Sequence, residues 1–294
     1  MSTRSGSTSS ESPLEGDRLE SQCRHWREQL QRPEGSVDAE TVAALQAQLV
    51  DPVQSWLKGK PRLLLSLSGD LWYTPLETLL PSERAARVTQ GDLLRLAEGR
   101  WHPYHPGPSL ALGAPESAGL EGARRELETV AQALPGCRLM VGNAATRTEL
   151  LADAEQAHLI HLASHSYSNS ADPLRGYLAL ADGPLTLPDI YGLHLDSGPV
   201  VVLSSCCSAL GQDAPGSEPI SLATAFSSAG AATVLSALWP ADDEETREMF
   251  DFFYSQLARG RSPGEALREA QELSRKQHPK SRNWAAFVLN GCPD

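Results

Sequence analysis

The sequence has no long apolar run. None of its apolar segments approaches the about 18 residues that a membrane-spanning helix needs, and the longest, at 231–239, is ended by Pro240. The first sixteen residues are rich in Ser, Gly and Thr and lack the apolar core of a secretion signal. We therefore expect no membrane-spanning segment and predict a soluble, cytoplasmic protein.

Cysteine is also scarce. The chain has 5 cysteines among 294 residues, and two of them, Cys206 and Cys207, are adjacent in the sequence. An odd number of cysteines is not a disulfide framework, and two neighbouring cysteines are poorly placed to bridge each other. This usage is typical of a protein from a reducing compartment.

Positive charge is in deficit. The chain carries 25 Lys and Arg residues against 37 Asp and Glu residues, which gives a formal net charge of −12. A surface that binds nucleic acid needs clustered positive charge to neutralise phosphates, and so does a surface that binds an anionic membrane. We therefore expect neither nucleic acid nor membrane as a partner.

The motifs of several enzyme classes are missing as well. The sequence contains no GxGxxG, GxxxxGK[ST], HExxH or CxxC, so the dinucleotide-binding, P-loop and zincin classes have no motif to support them. His161, His165, Cys206 and Cys207 do not have the spacing of a standard zinc site. We expect no metal.

The patterning that is present predicts an α/β protein. Residues 1–16 have too few large apolar side chains to order themselves and are predicted to be a disordered tail. Residues 17–59 form an N-terminal helical segment, since Leu19, Cys23, Trp26 and Leu30 recur at helical spacing. From 60 to 294, apolar strands alternate with amphipathic helices, which predicts a sheet covered on both faces.

Two of these strands run into polar residues. The strand at 158–163 is followed by His165 and several serines, and the strand at 199–204 by Ser205, Cys206 and Cys207. Sites in α/β sheets form beyond the carboxyl ends of strands, so a thiol and an imidazole would meet if the two strands are parallel neighbours. Such a pair suits nucleophilic catalysis, although a cysteine at a strand end is also commonly a packing residue.

Eight segments occur in order along most of the chain: GDLWYTPLE (69–77), HLASH (161–165), LALADG (178–183), VLSSC (202–206), AFSSAG (225–230), LW with the later Asp243, ALREAQ (266–271) and WAAFVLNG (284–291). Together they resemble the CHAT family of caspase-like cysteine peptidases, which is related in fold to caspases and separase. The resemblance implies a caspase-like α/β/α sandwich with a mostly parallel central sheet, preceded by the short helical segment.

The resemblance also implies roles for individual residues. His165 matches the family's catalytic histidine and Cys206 its nucleophile, with the backbone N–H groups of Ser166 and Cys206 forming the oxyanion hole. Ser166 stands where glycine is usual, and Cys207 where an acidic residue or glutamine is usual. We interpret Cys207 and His161 as packing or hydrogen-bonding residues rather than as the reacting groups. Chemistry of this kind needs no cofactor.

Asp243 allows two interpretations. Asp242 with Glu245 has the spacing of a capping box, and acidic residues favour the start of a helix. Alternatively, by resemblance to the acidic segment of separase, Asp243 lines the S1 pocket and binds a basic P1 side chain. Both interpretations stay open from the sequence.

The family resemblance implies a cysteine endopeptidase (a thiol protease) that cleaves a protein substrate. It further implies a regulated bacterial enzyme of antiviral defence, which activates a partner such as a gasdermin-like pore former and responds to a separate sensor or activator protein. Because of the changes at Ser166 and Cys207, a non-catalytic interaction module with the same fold is the alternative. A small-molecule hydrolase or transferase is a third class.

Overall fold

The computed structural model describes residues 16–32, 38–80, 84–113, 121–169, 172–205, 218–278 and 283–294. The predicted tail falls almost wholly outside this part of the chain. No helix within the described ranges is both long and apolar enough to cross a membrane.

Strands and helices alternate along the chain. The strands are β1 (Leu63–Leu65), β2 (Ala85–Arg87), β3 (Ser109–Gly113), β4 (Arg138–Val141), β5 (Leu159–Ala163), β6 (Ser166–Tyr167), β7 (Tyr177–Leu180), β8 (Gly183–Thr186), β9 (Val200–Ser204), β10 (Thr233–Ala237) and β11 (Phe287–Gly291). The helices are α1 (Gly16–Leu30), α2 (Ala39–Leu45), α3 (Gln54–Leu57), α4 (Gln90–Ala97), α5 (Glu121–Ala133), α6 (Arg147–Asp153), α7 (Leu187–Tyr191), α8 (Leu222–Ser228), α9 (Asp243–Ala258) and α10 (Pro263–Gln277).

Eight of these strands form the central sheet. Their spatial order is β1-β2-β11-β10-β9-β5-β3-β4, and β6, β7 and β8 form a separate small sheet. Within the run from β10 through β9, β5 and β3 to β4, every pair is parallel, whereas β11 is antiparallel to β10. The predicted mostly parallel α/β sheet is confirmed.

Both faces of the sheet are buried under helices. Successive strand residues point to opposite faces, so each strand contributes to two cores. Val200 and Val202 pack in one core with residues of α1, α5, α9 and α10. Val201 and Leu203 pack in a second core with residues of α6, α7 and α8. Two helical layers therefore enclose one sheet, which confirms the predicted α/β/α sandwich.

Helix α1 carries the apolar stripe seen in the sequence. Leu19, Cys23, Trp26 and Leu30 are all buried and belong to the same core as α9 and α10. Outside this stripe, Arg24 pairs with Asp70 at 2.9 Å. The N-terminal helix is thereby packed against the segment that begins at Gly69.

Two short elements differ from what the sequence predicts. Residues 81–109 are rich in Pro, Gly and His, which predicts a loop with one short helix, but strand β2 lies there. The apolar pattern of residues 185–187 predicts a strand, but these residues are divided between β8 and the start of α7. β2 has only three residues and ends in a charged one, so it lacks an apolar strand pattern. Thr186 caps α7 through its hydroxyl, and this local hydrogen bond ends the strand there.

The charged residue that ends β2 is the centre of a buried ion pair. The guanidinium of Arg87 is fully buried and donates from Nε to Glu77 Oε1 (2.6 Å) and from Nη2 to Glu77 Oε2 (3.1 Å). It also donates to the carbonyls of Trp72 and Thr74. Arg87 therefore holds the 69–77 segment, which ends in Glu77, against the central sheet.

Removing one partner of this pair should destabilise the fold strongly. Arg87→Met leaves the Glu77 carboxylate without its charged partner, and we expect the free energy of unfolding to fall by about 3–5 kcal/mol. The same substitution at Arg175, whose exposed pair with Asp172 should contribute about 0–1 kcal/mol, is the matched control. Urea denaturation of both variants measures the difference, and equal losses would contradict a structural role for the buried pair.

Candidate active site

The candidate site lies where neighbouring parallel strands end. In the sheet register Ala163 of β5 pairs with Ser204 of β9, and Leu203 of β9 pairs with Ser236 of β10. Parallel strands that are neighbours have their carboxyl ends at the same edge. From the sequence, His165 and the residues after β9 can meet only if β5 and β9 are parallel neighbours. The structure meets this condition.

His165 is held by its backbone while its side chain is exposed. Its carbonyl accepts a hydrogen bond from Ala179 N at 2.8 Å. The preceding hydroxyl, Ser164 Oγ, donates to the Ala179 carbonyl at 2.6 Å. Ser166 then begins β6 and pairs in register with Leu178. The small sheet therefore fixes the backbone on both sides of His165 and leaves the imidazole accessible.

A cleft of about 250 Å³ opens beside this histidine. Side chains from both sides of the strand ends line it: Ala123, Glu126, Ser164, His165, Ser204, Ser205, Ala237, Trp239, Ala241, Asp243, Thr246 and Phe287. Two of the residues singled out from the sequence, His165 and Asp243, thus face one cavity. Cys206 and Cys207 lie outside the described residues, directly after Ser205.

The two neighbouring aspartates at the start of α9 have different roles. Asp242 is the N-cap, and its carboxylate accepts from the backbone N–H groups of Glu244 (3.0 Å) and Glu245 (3.1 Å). Glu245 Oε2 accepts a hydrogen bond from Asn283 Nδ2 at 2.7 Å. The capping role therefore belongs to Asp242, and Asp243 is available to line the cleft.

Asp243 lies directly against α5. A Cβ atom placed on Gly122 would be 2.4 Å from Asp243 Oδ2 and 2.9 Å from its Cβ. Only a residue without a side chain permits this approach. Gly122 therefore determines where the Asp243 carboxylate can sit at the rim of the cleft.

His161 is buried under the cleft and does not line it. Its Nδ1 is 2.6 Å from the Tyr254 hydroxyl, and its Nε2 is 2.8 Å from Glu126 Oε1. The ring also makes an edge contact with Phe250, with 5.6 Å between centroids. This placement agrees with our interpretation of His161 as a packing and hydrogen-bonding residue.

Two residues of the site were missed by the sequence reasoning. Glu126 is 5% exposed and lines the cleft, and Tyr254 is fully buried behind His161. A signal for Glu126 existed, because it falls three residues after Ala123 and next to Leu127, on the apolar stripe of α5. A carboxylate on the buried side of a helix is uncommon unless it has a function or a partner.

The cysteines in the described part of the chain are poor nucleophiles. Burial raises the pKa of Cys23, Cys137 and Cys292 from 9.0 to about 11 in each case. At neutral pH these three thiols are protonated, and a protonated thiol does not attack a carbonyl carbon. Of the five cysteines, only Cys206 and Cys207 remain as candidates.

Comparison with known proteins gives the family. The family model for the CHAT domain matches residues 39–292, which is most of the chain. The chain belongs to the CHAT-domain family. It is also similar to tetratricopeptide repeat protein 28 of Mus musculus, with 30% identity over 200 residues, which cover 54% of this chain and 8% of that protein. The match thus spans only a small part of that relative.

Solved structures share the fold of this CHAT domain. Separase, in the Saccharomyces cerevisiae separase–securin complex, has a TM-score of 0.55 at 18% identity, over 87% of this chain and 17% of that one. The Arg-specific cysteine proteinase gingipain R has a TM-score of 0.57 at 12% identity, over 94% of this chain and 73% of that one. The expected caspase-like fold is confirmed.

The pKa values of the buried thiols give a labelling prediction. Iodoacetamide reacts with thiolates, so at pH 7.5 the native protein should be alkylated only at Cys206, Cys207 or both. Labelling of Cys23, Cys137 and Cys292 should rise only as the pH approaches 11, or after denaturation. Peptide mass mapping of alkylated protein measures this, and rapid labelling of Cys23 in the native protein at pH 7.5 would contradict it.

Proposed function

We propose that this CHAT domain is a cysteine endopeptidase that uses Cys206 and His165. The observation that carries the proposal is the convergence of His165 and Ser205, the residue before Cys206, on one cleft at the carboxyl edge of parallel strands. The exposed imidazole and the open cleft suit a peptide substrate, and the caspase-like fold supports a peptidase.

The proposed reaction proceeds through a thioester. The Cys206 sulfur, as a thiolate paired with protonated His165 or after losing its proton to this imidazole, attacks the scissile carbonyl carbon. Backbone N–H groups at Ser166 and Cys206 stabilise the oxyanion. The C–N bond then breaks, and His165 gives its proton to the leaving amine. Water, activated by His165, finally hydrolyses the thioester and restores the thiol.

The proposed substrate is a protein with a basic residue at P1. Asp243 carries a negative charge at the rim of the cleft, and no hydrogen bond or ion pair occupies it within the described ranges. A guanidinium or ammonium group can supply the missing partner. We further propose a regulated enzyme in bacterial antiviral defence, with a gasdermin-like pore former as the kind of partner that cleavage would activate.

The alternative function is a non-catalytic interaction module. Ser166 and Cys207 depart from the family pattern on either side of the proposed dyad, and this favours considering it. An electrophilic activity-based probe separates the two functions. Labelling of the wild type but not of Cys206→Ala supports a peptidase, and equal absence of labelling in both supports a binding module.

The dyad should be indispensable. Cys206→Ala and His165→Ala remove the nucleophile and the proton carrier, so each should reduce cleavage of a peptide library to the level without enzyme. Cys207→Ser, a matched change at the neighbouring thiol, should retain part of the activity. Loss in Cys207→Ser together with survival in Cys206→Ala would reverse the assignment of the nucleophile.

Asp243→Asn should weaken cleavage after basic residues. Because Asp243 is exposed, solvent screens its charge, and we expect kcat/KM for a P1 arginine substrate to fall about 5- to 10-fold. Asp242→Asn is the control, since asparagine also caps helices well. Unchanged cleavage in Asp243→Asn, or a wild-type preference for acidic or apolar P1 residues, would contradict the role of Asp243.

A further inference from the structure

Several buried polar atoms around the cleft lack hydrogen-bond partners. In the described part of the chain, Glu126 Oε1, Ser205 Oγ and Thr246 Oγ1 are enclosed and accept or donate no hydrogen bond, and all three residues line the cleft. Buried polar atoms in native proteins are almost always paired, and an exception calls for an explanation. A ligand that enters the cleft would supply these partners.

The chemistry of these atoms indicates what kind of ligand it is. An ionised carboxylate only accepts hydrogen bonds, and serine and threonine hydroxyls can accept them. The matching group carries positive charge and several donors. A guanidinium has five N–H donors in a planar fork, whereas an ammonium has three on one nitrogen. The set of acceptors therefore suits guanidinium better than ammonium.

The residues behind Glu126 do not saturate the hydrogen-bonding capacity of its carboxylate. Burial raises the pKa of the Tyr254 phenol well above 10, and the charge of Glu126 adds to this, so its hydroxyl keeps its proton. Among the described residues that hydroxyl has one partner, His161 Nδ1 at 2.6 Å. The Tyr254 hydroxyl therefore pairs with His161 and gives no donor to the Glu126 carboxylate.

The imidazole of His161 faces Glu126 but does not saturate it. His161 Nε2 is 2.8 Å from Glu126 Oε1, but the two atoms are out of line for a hydrogen bond. A carboxylate has about four acceptor positions, so Glu126 keeps hydrogen-bonding capacity for a group in the cleft.

Glu126 and Asp243 lie at different depths. Asp243 is exposed and rests against Gly122, and Glu126 lies four residues further along the same helix. Four residues of an α-helix rise by about 6 Å. The cleft thus has one carboxylate at its rim and a second, buried one about one helical turn away.

We propose that Glu126 is the principal specificity-determining residue of the S1 pocket, where it binds the guanidinium of a P1 arginine together with Ser205 and Thr246. Asp243 then contacts the same side chain nearer the rim. The inference rests on the proposed function only in taking the ligand to be a substrate side chain. It assigns the selection of arginine over lysine to the buried carboxylate and the two hydroxyls.

Binding to a protein that cannot turn over tests this directly. In the Cys206→Ala background, isothermal titration calorimetry compares peptides that end in arginine amide, citrulline amide or lysine amide. We expect the arginine peptide to bind at least about 10-fold more tightly than its uncharged isostere citrulline. Glu126→Gln should remove most of this ratio. Glu128→Gln, an exposed change on the same helix, should leave it unchanged, and an unchanged ratio in Glu126→Gln would overturn the proposal.

A second variant covers the case in which Glu126→Gln does not fold. Thr246→Val keeps the side-chain shape and deletes one acceptor, so the preference for arginine over lysine should fall several-fold while the melting temperature changes little. An unchanged preference would overturn the proposal.

The wild-type enzyme separates this inference from the proposed function. If the Glu126-dependent binding is found but no peptide is cleaved, the endopeptidase proposal fails and the binding pocket stands. If arginine peptides are cleaved and the ratio of kcat/KM for arginine over citrulline is the same in Glu126→Gln, the endopeptidase stands and this inference fails.

Discussion

Parallel pairing of β5, β9 and β10 is the constraint on which the site depends. Hydrogen bonds in a fixed register place Ala163, Ser204 and Ala237 near one edge of the sheet, although they are far apart in the sequence. The edge also requires a close approach by β3. Gly113 has φ of +150°, and a Cβ there would lie 1.9 Å from the Ala163 carbonyl oxygen. Only glycine allows β3 to stay beside β5 at this point.

The two faces of the sheet differ in polarity. The face that packs on α6, α7 and α8 is apolar throughout the strand positions it receives from β5 and β9. The opposite face holds His161 of β5, which meets Glu126 of α5 and Tyr254 of α9. Polar groups in a core cost stability unless they are paired. The polar groups on this face therefore lower the stability of the core and place a carboxylate next to the cleft.

Much of this arrangement could be predicted from the sequence. The apolar runs of β5, β9 and β10 and the helical stripe of α1 depend on local periodicity, which sequence records directly. Placing His165 at the same edge of the sheet as the carboxyl end of β9 required one further rule, that sites form at strand ends. Strand β2 and the small strand β6 could not be found, because each is too short for a pattern and depends on a partner strand. Glu126 and Tyr254 were missed because their roles arise only when two helices pack over β5.

Two glutamates of this fold, Glu77 and Glu126, differ in how fully the acceptor positions of their carboxylates are occupied. The Glu77 carboxylate receives both arms of the Arg87 guanidinium, at 2.6 and 3.1 Å, and the remaining donor capacity of Arg87 goes to backbone carbonyls. Glu126 has one imidazole beside it, which is poorly aligned for a hydrogen bond. A fork of two N–H donors is the arrangement that satisfies a carboxylate most fully. A guanidinium that enters the cleft would give Glu126 the two-armed contact that Arg87 gives Glu77. Glu77 thus serves the fold, whereas Glu126 has acceptor positions left for the guanidinium that we propose it binds.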